Sequence, residues 1–180
     1  MRNLLHRLGL FLLLALSPSA LSTRDAFSQS VSEDDVKAAM VFNFLRFSTL
    51  PNPSDKILLC VLSNYPGVNQ IRALDGKSLG SSPVRIEIVE ESAVLTRAQC
   101  QVAVYGELSP KAAGALQSLT RSGVLTIGQD AGFLERGGVI RFFSESNRVR
   151  FEIDNESARS AGITISSKVL ALARIKGSSD

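Results

Sequence analysis

The stretch KILLCVLS, Lys56 to Ser63, decides the fold class: Ile57 to Leu62 are six apolar residues in succession with little alternation. A strand of that kind is covered on two faces, and such strands belong to parallel sheets sandwiched between helices. Further strands are expected downstream at VRIEIV (Val84 to Val89), at QVAVYG (Gln101 to Gly106), another buried one, and at VLTIGQ (Val124 to Gln129). Between them lie a short helical segment at about 66–74, the helix-forming ESAVLTRAQ (Glu91 to Gln99), and SPKAAGALQSLTRSG (Ser109 to Gly123). In the last, Ser109 is placed to cap the helix, Pro110 takes its first position and Gly123 stops it. Strand and helix in alternation predict an α/β layered domain with a mostly parallel central sheet and helices on both faces.

The rhythm changes at GGVIRFFSESNRVRFEID, Gly137 to Asp154. Val149, Phe151 and Ile153 alternate with Arg148, Arg150, Glu152 and Asp154, the period of a strand with one buried and one charged face. Two strands this close in sequence pair antiparallel, so the sheet is expected to end in an antiparallel hairpin whose Ile140 and Phe142 also extend the core. Arg148 and Arg150 then stand on an edge strand. There they discourage edge-to-edge aggregation, the structural reading, or serve a partner. Asn155 is the expected cap of a first closing helix stopped by Gly162. Ser166 starts a second, SSKVLALARI, with Val169, Leu170 and Ala173 toward the core.

Upstream, Ser32 and the acids Glu33, Asp34 and Asp35 open a helix. Its stripe is Val36, Met40, Phe44 and Phe47, widened by Val41 and Leu45, and Pro51 and Pro53 end it. The helix is expected to dock on the domain, a partner-gripping helix being the alternative. The chain begins with Arg2 and Arg7 before the short apolar run Leu8 to Leu16 and small residues, the pattern of a secretory signal peptide. That run is about half of what a bilayer crossing needs. The organisation expected is a signal peptide at 1–22, a flexible tail at 23–32, one domain at 33–176 and a tail at 177–180, with no membrane insertion after cleavage.

Composition narrows function. Removing Arg2 and Arg7 leaves eighteen basic residues against seventeen acidic ones, which does not make a nucleic-acid footprint. The single histidine, His6, leaves with the leader, so His-based catalysis and His-based metal sites drop out of the mature chain. Gly-Lys-Ser at 76–78 lacks the P-loop spacing, and Ser166-Ser167-Lys168 lacks the Ser-x-x-Lys spacing. The acid pairs Asp34-Asp35, Glu90-Glu91 and Glu152/Asp154 read as solvated. Neither an enzyme nor a cofactor or metal protein is expected. Cys60 and Cys100 of an exported chain meet an oxidising compartment. They bridge if their strands are neighbours, with two buried free thiols as the alternative. A parallel sheet also places Ser63, Asn64, Tyr65, Gly106 and Glu107 at a crevice outside the strands' carboxyl ends, a candidate small-molecule site.

Read together, the two ends of the domain resemble the YfiR family of exported bacterial proteins. KAAMVFNFLRFSTLP is similar to the family's Lys-Ala-Ala start, aromatic helix and closing proline. The block from Gly137 to Ile175 is similar to its most characteristic segment: Asn147, Arg148, Val149, Arg150, Phe151 and Ile153, then Ala158, Ala161 and Gly162, then Ser166, Ser167, Leu170, Leu172 and Ala173. The similarity runs from about Asp35 to Ile175. It implies a periplasmic α/β domain of a Gram-negative bacterium without known catalysis. The namesake restrains an inner-membrane diguanylate cyclase through that enzyme's periplasmic part, lowering cyclic di-GMP, and its cysteines tie this to redox state. The resemblance implies a membrane-bound signalling partner, a diguanylate cyclase or a histidine kinase, and a homodimer. Phe44, Phe47, Asn147, Arg148, Arg150 and Glu152 are the candidate partner contacts. Cys60 and Cys100 fall where the family often has a pair. This chain lacks the second pair some members carry near the hairpin, and Leu50 replaces the tryptophan common before the proline.

Overall fold

The computed structural model describes residues 31–94 and 99–177. The expected signal peptide, most of the expected tail, residues 95–98 of the third expected helix and the last three residues lie outside the described residues. Along the chain come helix α1 (Glu33–Arg46), β1 (Ser48–Thr49), β2 (Ile57–Leu62), α2 (Val68–Arg72), β3 (Ser78–Leu79), β4 (Ser82–Val89), α3 (Glu91–Val94) and β5 (Val102–Val104). They are followed by α4 (Pro110–Arg121), β6 (Leu125–Gly128), β7 (Ile140–Glu145), β8 (Arg148–Ile153), α5 (Asn155–Ser160), β9 (Thr164–Ile165), α6 (Ser167–Leu170) and β10 (Arg174–Ile175).

Eight of the strands form one sheet in the order β10-β8-β7-β6-β5-β2-β4-β3. The apolar β2 lies between two parallel neighbours, with Leu59 opposite Ile86 of β4 and Val102 of β5. The chain first adds β4 on one side of β2 and then crosses to add β5, β6 and β7 on the other, all parallel. Strand order thus reverses between β2 and β5, the switch point of a doubly wound sheet.

Helices cover the two faces. On one, Leu59, Val61, Val104, Ile127, Phe142 and Phe151 pack with Ala38, Val41, Phe44 and Leu45 of α1, Ile71 of α2, Ala158 of α5 and Val169 of α6. On the other, Cys60, Leu62, Ala103 and Tyr105 pack with Leu116 of α4 and with Phe133 and Leu134, and Ala93 of α3 joins them. Local signals act as their chemistry requires. Ser32 and Asp35 form a reciprocal capping box on α1. Ser109 caps α4, and Gly123, at φ 91°, follows its end.

Five expectations are corrected. The buried stripe of α1 is centred on Ala38, Val41, Phe44 and Leu45, leaving Val36, Met40 and Phe47 only partly covered. Phe44, expected among partner contacts, is 2% exposed, with its ring 5.8 Å from that of Phe142 and 4.9 Å from that of Phe151. It is a core residue. The cap of α5 is Asp154, whose carboxylate accepts from the Ser157 N–H at 2.8 Å, one residue before the expected Asn155. The long last helix is a single turn, α6, because the chain then turns to give β10, which pairs parallel to β8 through Arg174 with Glu152 and Ile175 with Ile153. The hairpin is therefore not the end of the sheet.

Cys60 and Cys100 are joined in a disulfide with Cα atoms 5.8 Å apart, both cysteines buried. The bond ties central β2 to the residue just before Gln101, whose N–H donates to Leu58 and whose side chain accepts from the Leu58 N–H. Closing a loop over a separation of 40 residues restricts the unfolded chain. Replacing both cysteines by alanine is expected to lower unfolding free energy by about 4 kcal/mol in urea titrations of oxidised protein. A loss below about 1 kcal/mol would show that the bond does not constrain the unfolded chain in this way.

Candidate functional site

Two regions carry the residues singled out by sequence. The first lies outside the carboxyl ends of β2, β4 and β5. The loops there enclose a crevice of about 290 Å³ lined by Leu62, Ser63, Asn64, Glu90, Glu91, Glu107, Leu108 and Ser109. Ser63, Asn64 and Glu107 stand where the parallel-sheet reading puts them. Tyr65 does not: it turns into the core and is 2% exposed. Gly106 is buried beneath the crevice, where a Cβ would meet the Asn64 carbonyl oxygen at 2.6 Å, so the two loops touch backbone to backbone.

The missing members of this set are Glu90, Glu91 and Ser109. Glu91 reaches the start of α4, where its carboxylate accepts from the Ser109 N–H at 3.0 Å and from the Ser109 hydroxyl. Asp130 accepts from the Leu108 N–H at 2.8 Å. Donors at a helix N-terminus ordinarily suit an anionic ligand. Here the chain's own carboxylates occupy them, and Glu90 and Glu107 make the rim acidic. The crevice thereby disfavours phosphates and carboxylates. Burial, and then the charge of Glu91, push the Tyr105 hydroxyl up from its ordinary range. Glu91 and Ser109 come from separate elements with no sequence motif linking them, so the arrangement arises only in the folded chain.

The second region is the outward face of the hairpin. Ser146 and Asn147 have φ of 50° and 58°, the two positive values of a tight two-residue turn whose twist suits antiparallel strands. The register then sets Arg141 opposite Glu152, Phe143 opposite Arg150 and Glu145 opposite Arg148, all on one face. Arg141 donates to Glu152 at 2.7 Å. Arg174 of β10 crosses the Phe143 ring, 4.6 Å from its centroid, to bond Glu145 at 2.8 Å. Arg141 lies 5.2 Å from the same centroid, so two guanidinium groups flank one half-buried aromatic ring. Arg148, Arg150 and Glu152 are brought together here beside the Asn147 turn. Phe47 is elsewhere: its carbonyl accepts from the Ser166 N–H, and its ring lies 5.5 Å from Arg46 and 5.9 Å from Lys168.

Where the hairpin leaves the sheet, Lys176 donates to Asp154 at 2.9 Å and to the Leu134 carbonyl at 3.0 Å. That clamp fastens β10 and caps α5 with one carboxylate. Among the described residues, no group of three or more His, Cys, Asp or Glu is placed to hold a metal, and no helix is long and apolar enough to cross a membrane.

These features define a disulfide-bridged, doubly wound α/β domain whose candidate sites are a charged sheet face and an acidic crevice. The chain belongs to the YfiR/HmsC-like family, whose model matches residues 34–174, and that family consists of periplasmic regulators of cyclic di-GMP signalling. Its fold is similar to that of a conserved domain protein from Vibrio cholerae O1 biovar El Tor strain N16961, with a TM-score of 0.50 and 14% sequence identity over 80% of this chain. The match spans 60% of that chain. No curated protein matches.

Burial raises the Asp154 pKa, but hydrogen bonds from Ser157 and the Lys176 ammonium outweigh it and hold the carboxyl below its ordinary value. A depressed folded pKa means stability that is present above the unfolded value and lost as pH falls through the folded one. Stability of the native chain is therefore expected to fall as pH drops below about 4, the unperturbed aspartate value. Asp154→Asn keeps a capping oxygen but removes the charge. Its stability deficit against the native chain, read by urea unfolding, is expected at neutral pH and to vanish in acid. A deficit independent of pH would assign the effect to packing instead.

Proposed function

We propose that this protein is exported to the periplasm of a Gram-negative bacterium, loses residues 1–22, and binds the periplasmic sensory part of an inner-membrane signalling protein. By this reading it restrains a diguanylate cyclase and so lowers cyclic di-GMP. The observation that carries it is a family match covering nearly all of the described domain, 34–174, rather than an isolated motif. The hairpin face with Asn147, Arg148, Arg150 and Glu152 is the docking surface of this proposal. It is rigidly mounted, since Phe142 and Phe151 on the reverse of the same strands grip Phe44. Deletion of the gene is expected to raise cellular cyclic di-GMP several-fold, and expression of the full chain with its leader to restore it. Unchanged nucleotide levels would remove the cyclase from the proposal.

A second reading rests on the crevice at the switch point, the usual ligand position of such sheets. It makes the protein a periplasmic module for a small cationic or neutral molecule, feeding a membrane histidine kinase. Polyamines, as cations, and sugars, as neutral molecules, are the probes. A binder at 100 times its dissociation constant adds about 2.7 kcal/mol to native stability, which appears as a raised melting temperature. The rise is expected to disappear in the doubly neutralised Glu90→Gln, Glu107→Gln protein. No shift with any probe of either class would discard this reading.

A further inference from the structure

From the charge and shape of the hairpin's outward face, we infer that it receives an acidic, extended polypeptide segment of a different protein. The inference rests on the proposal that the chain is a partner-binding regulator and adds the chemistry of the partner. Arg141, Arg148, Arg150 and Arg174 share this face with two acids, Glu145 and Glu152, so among the described residues it is two charges positive. The acids are already engaged. Glu152 is held by Arg141 at 2.7 Å, and Glu145 by Arg174 at 2.8 Å, with Arg150 more distant at 4.0 Å. Arg148 is exposed and has no ion-pair partner among the described residues, although Glu145 is its registered neighbour. The positive surplus is therefore concentrated at Arg148 and Arg150, next to the turn.

Two further features fix the occupant. Phe143 supplies an apolar centre flanked by guanidinium groups, an arrangement suited to a segment that mixes acids with an aromatic or aliphatic side chain. β10 pairs with β8 only at Glu152 and Ile153, so Arg148 to Phe151 have no strand beside them on that side among the described residues. An extended segment lying along the face can use that edge. A second copy of this chain does not fit: a two-fold contact would set the same positive patch against itself.

The probe is a short fluorescein-labelled glutamate-rich peptide carrying one phenylalanine, titrated by anisotropy against the full chain after leader removal. A peptide with every glutamate replaced by lysine is the counter-probe. The acidic peptide is expected to bind, the lysine peptide not, and binding to weaken as salt rises toward about 0.5 M. Arg148→Glu breaks no native ion pair among the described residues and is expected to weaken binding by about fivefold or more. Lys111→Glu, an exposed position on α4, is expected to leave it unchanged. Equal affinity of native and Arg148→Glu proteins, or equal binding of the two peptides, overturns the inference. A native dimer that Arg148→Glu dissociates in light scattering overturns it in favour of a second copy. In cells, Arg148→Glu with Arg150→Glu is expected to raise cyclic di-GMP to the deletion level. If the deletion has no effect while peptide binding still depends on Arg148, the regulatory reading fails and this surface stands. If the deletion raises cyclic di-GMP but the double variant, folded to the native melting temperature, does not, this surface fails and the regulatory reading stands.

Discussion

The two-sided pairing of β2 is the constraint from which the remaining architecture follows. Its backbone is shared between β4 and β5, so its side chains face helices on both sides and neither face can accept a charge. Leu59 and Val61 serve the core under α1, while Cys60 and Leu62 serve the core under α4. Because β4 and β5 flank the first long strand, their exit loops must diverge above it, and that divergence makes the crevice. The disulfide acts at the same place. It joins a fully buried position of β2 to the entry of β5, so the switch point is tied covalently as well as by hydrogen bonds.

At the other end of the sheet the governing contact is the aromatic cluster of Phe44, Phe142 and Phe151. Such rings bury large apolar areas and favour tilted packing at these separations. Since strand side chains alternate, committing Phe142 and Phe151 to the core commits Phe143, Arg150 and Glu152 to the outside. The charged face is thus the obligatory reverse of a core contact. What the core does not dictate is its composition: lysine or threonine would satisfy the alternation equally. Arginine adds planar groups that stack on Phe143 while bonding a carboxylate.

Much of this was legible in the chain because the signals are local. Continuous apolar runs identified the buried strands, and Ser109-Pro110 with Gly123 bounded α4. Alternation around Ser146-Asn147 identified the hairpin. Apart from the α5 cap, where Asp154 accepts from Ser157 three residues on, the failures share a physical cause, since each depends on a partner distant in sequence. Leu170 to Arg174 has helical composition, yet the open edge of β8 offers Arg174 and Ile175 backbone partners and recruits them as a strand. Ser48 and Thr49 pair with Ile165 and Thr164 across more than a hundred residues, and two-residue strands leave no periodicity to read. Phe44 and Phe47 looked equivalent on one helical stripe. The sheet lies nearer the Val41 side, which buries the first ring and leaves the second partly open.

The candidate sites were less legible because their character depends on which donors are already used. Outside the parallel strands, Ser63, Asn64 and Glu107 line the crevice, but no local signal marks Glu91 as accepting from both the backbone and hydroxyl of Ser109. That contact inverts the usual electrostatics of a switch point, replacing a positive helix terminus awaiting an anion with a satisfied terminus beside free acids. The hairpin face shows the opposite imbalance, its acids engaged and its surplus positive. Charge attraction lengthens the capture radius for a complementary partner only where it is unsatisfied. The domain therefore presents negative polarity above β2 and positive polarity on the hairpin, and a ligand of either sign has one of the two regions open to it, not both.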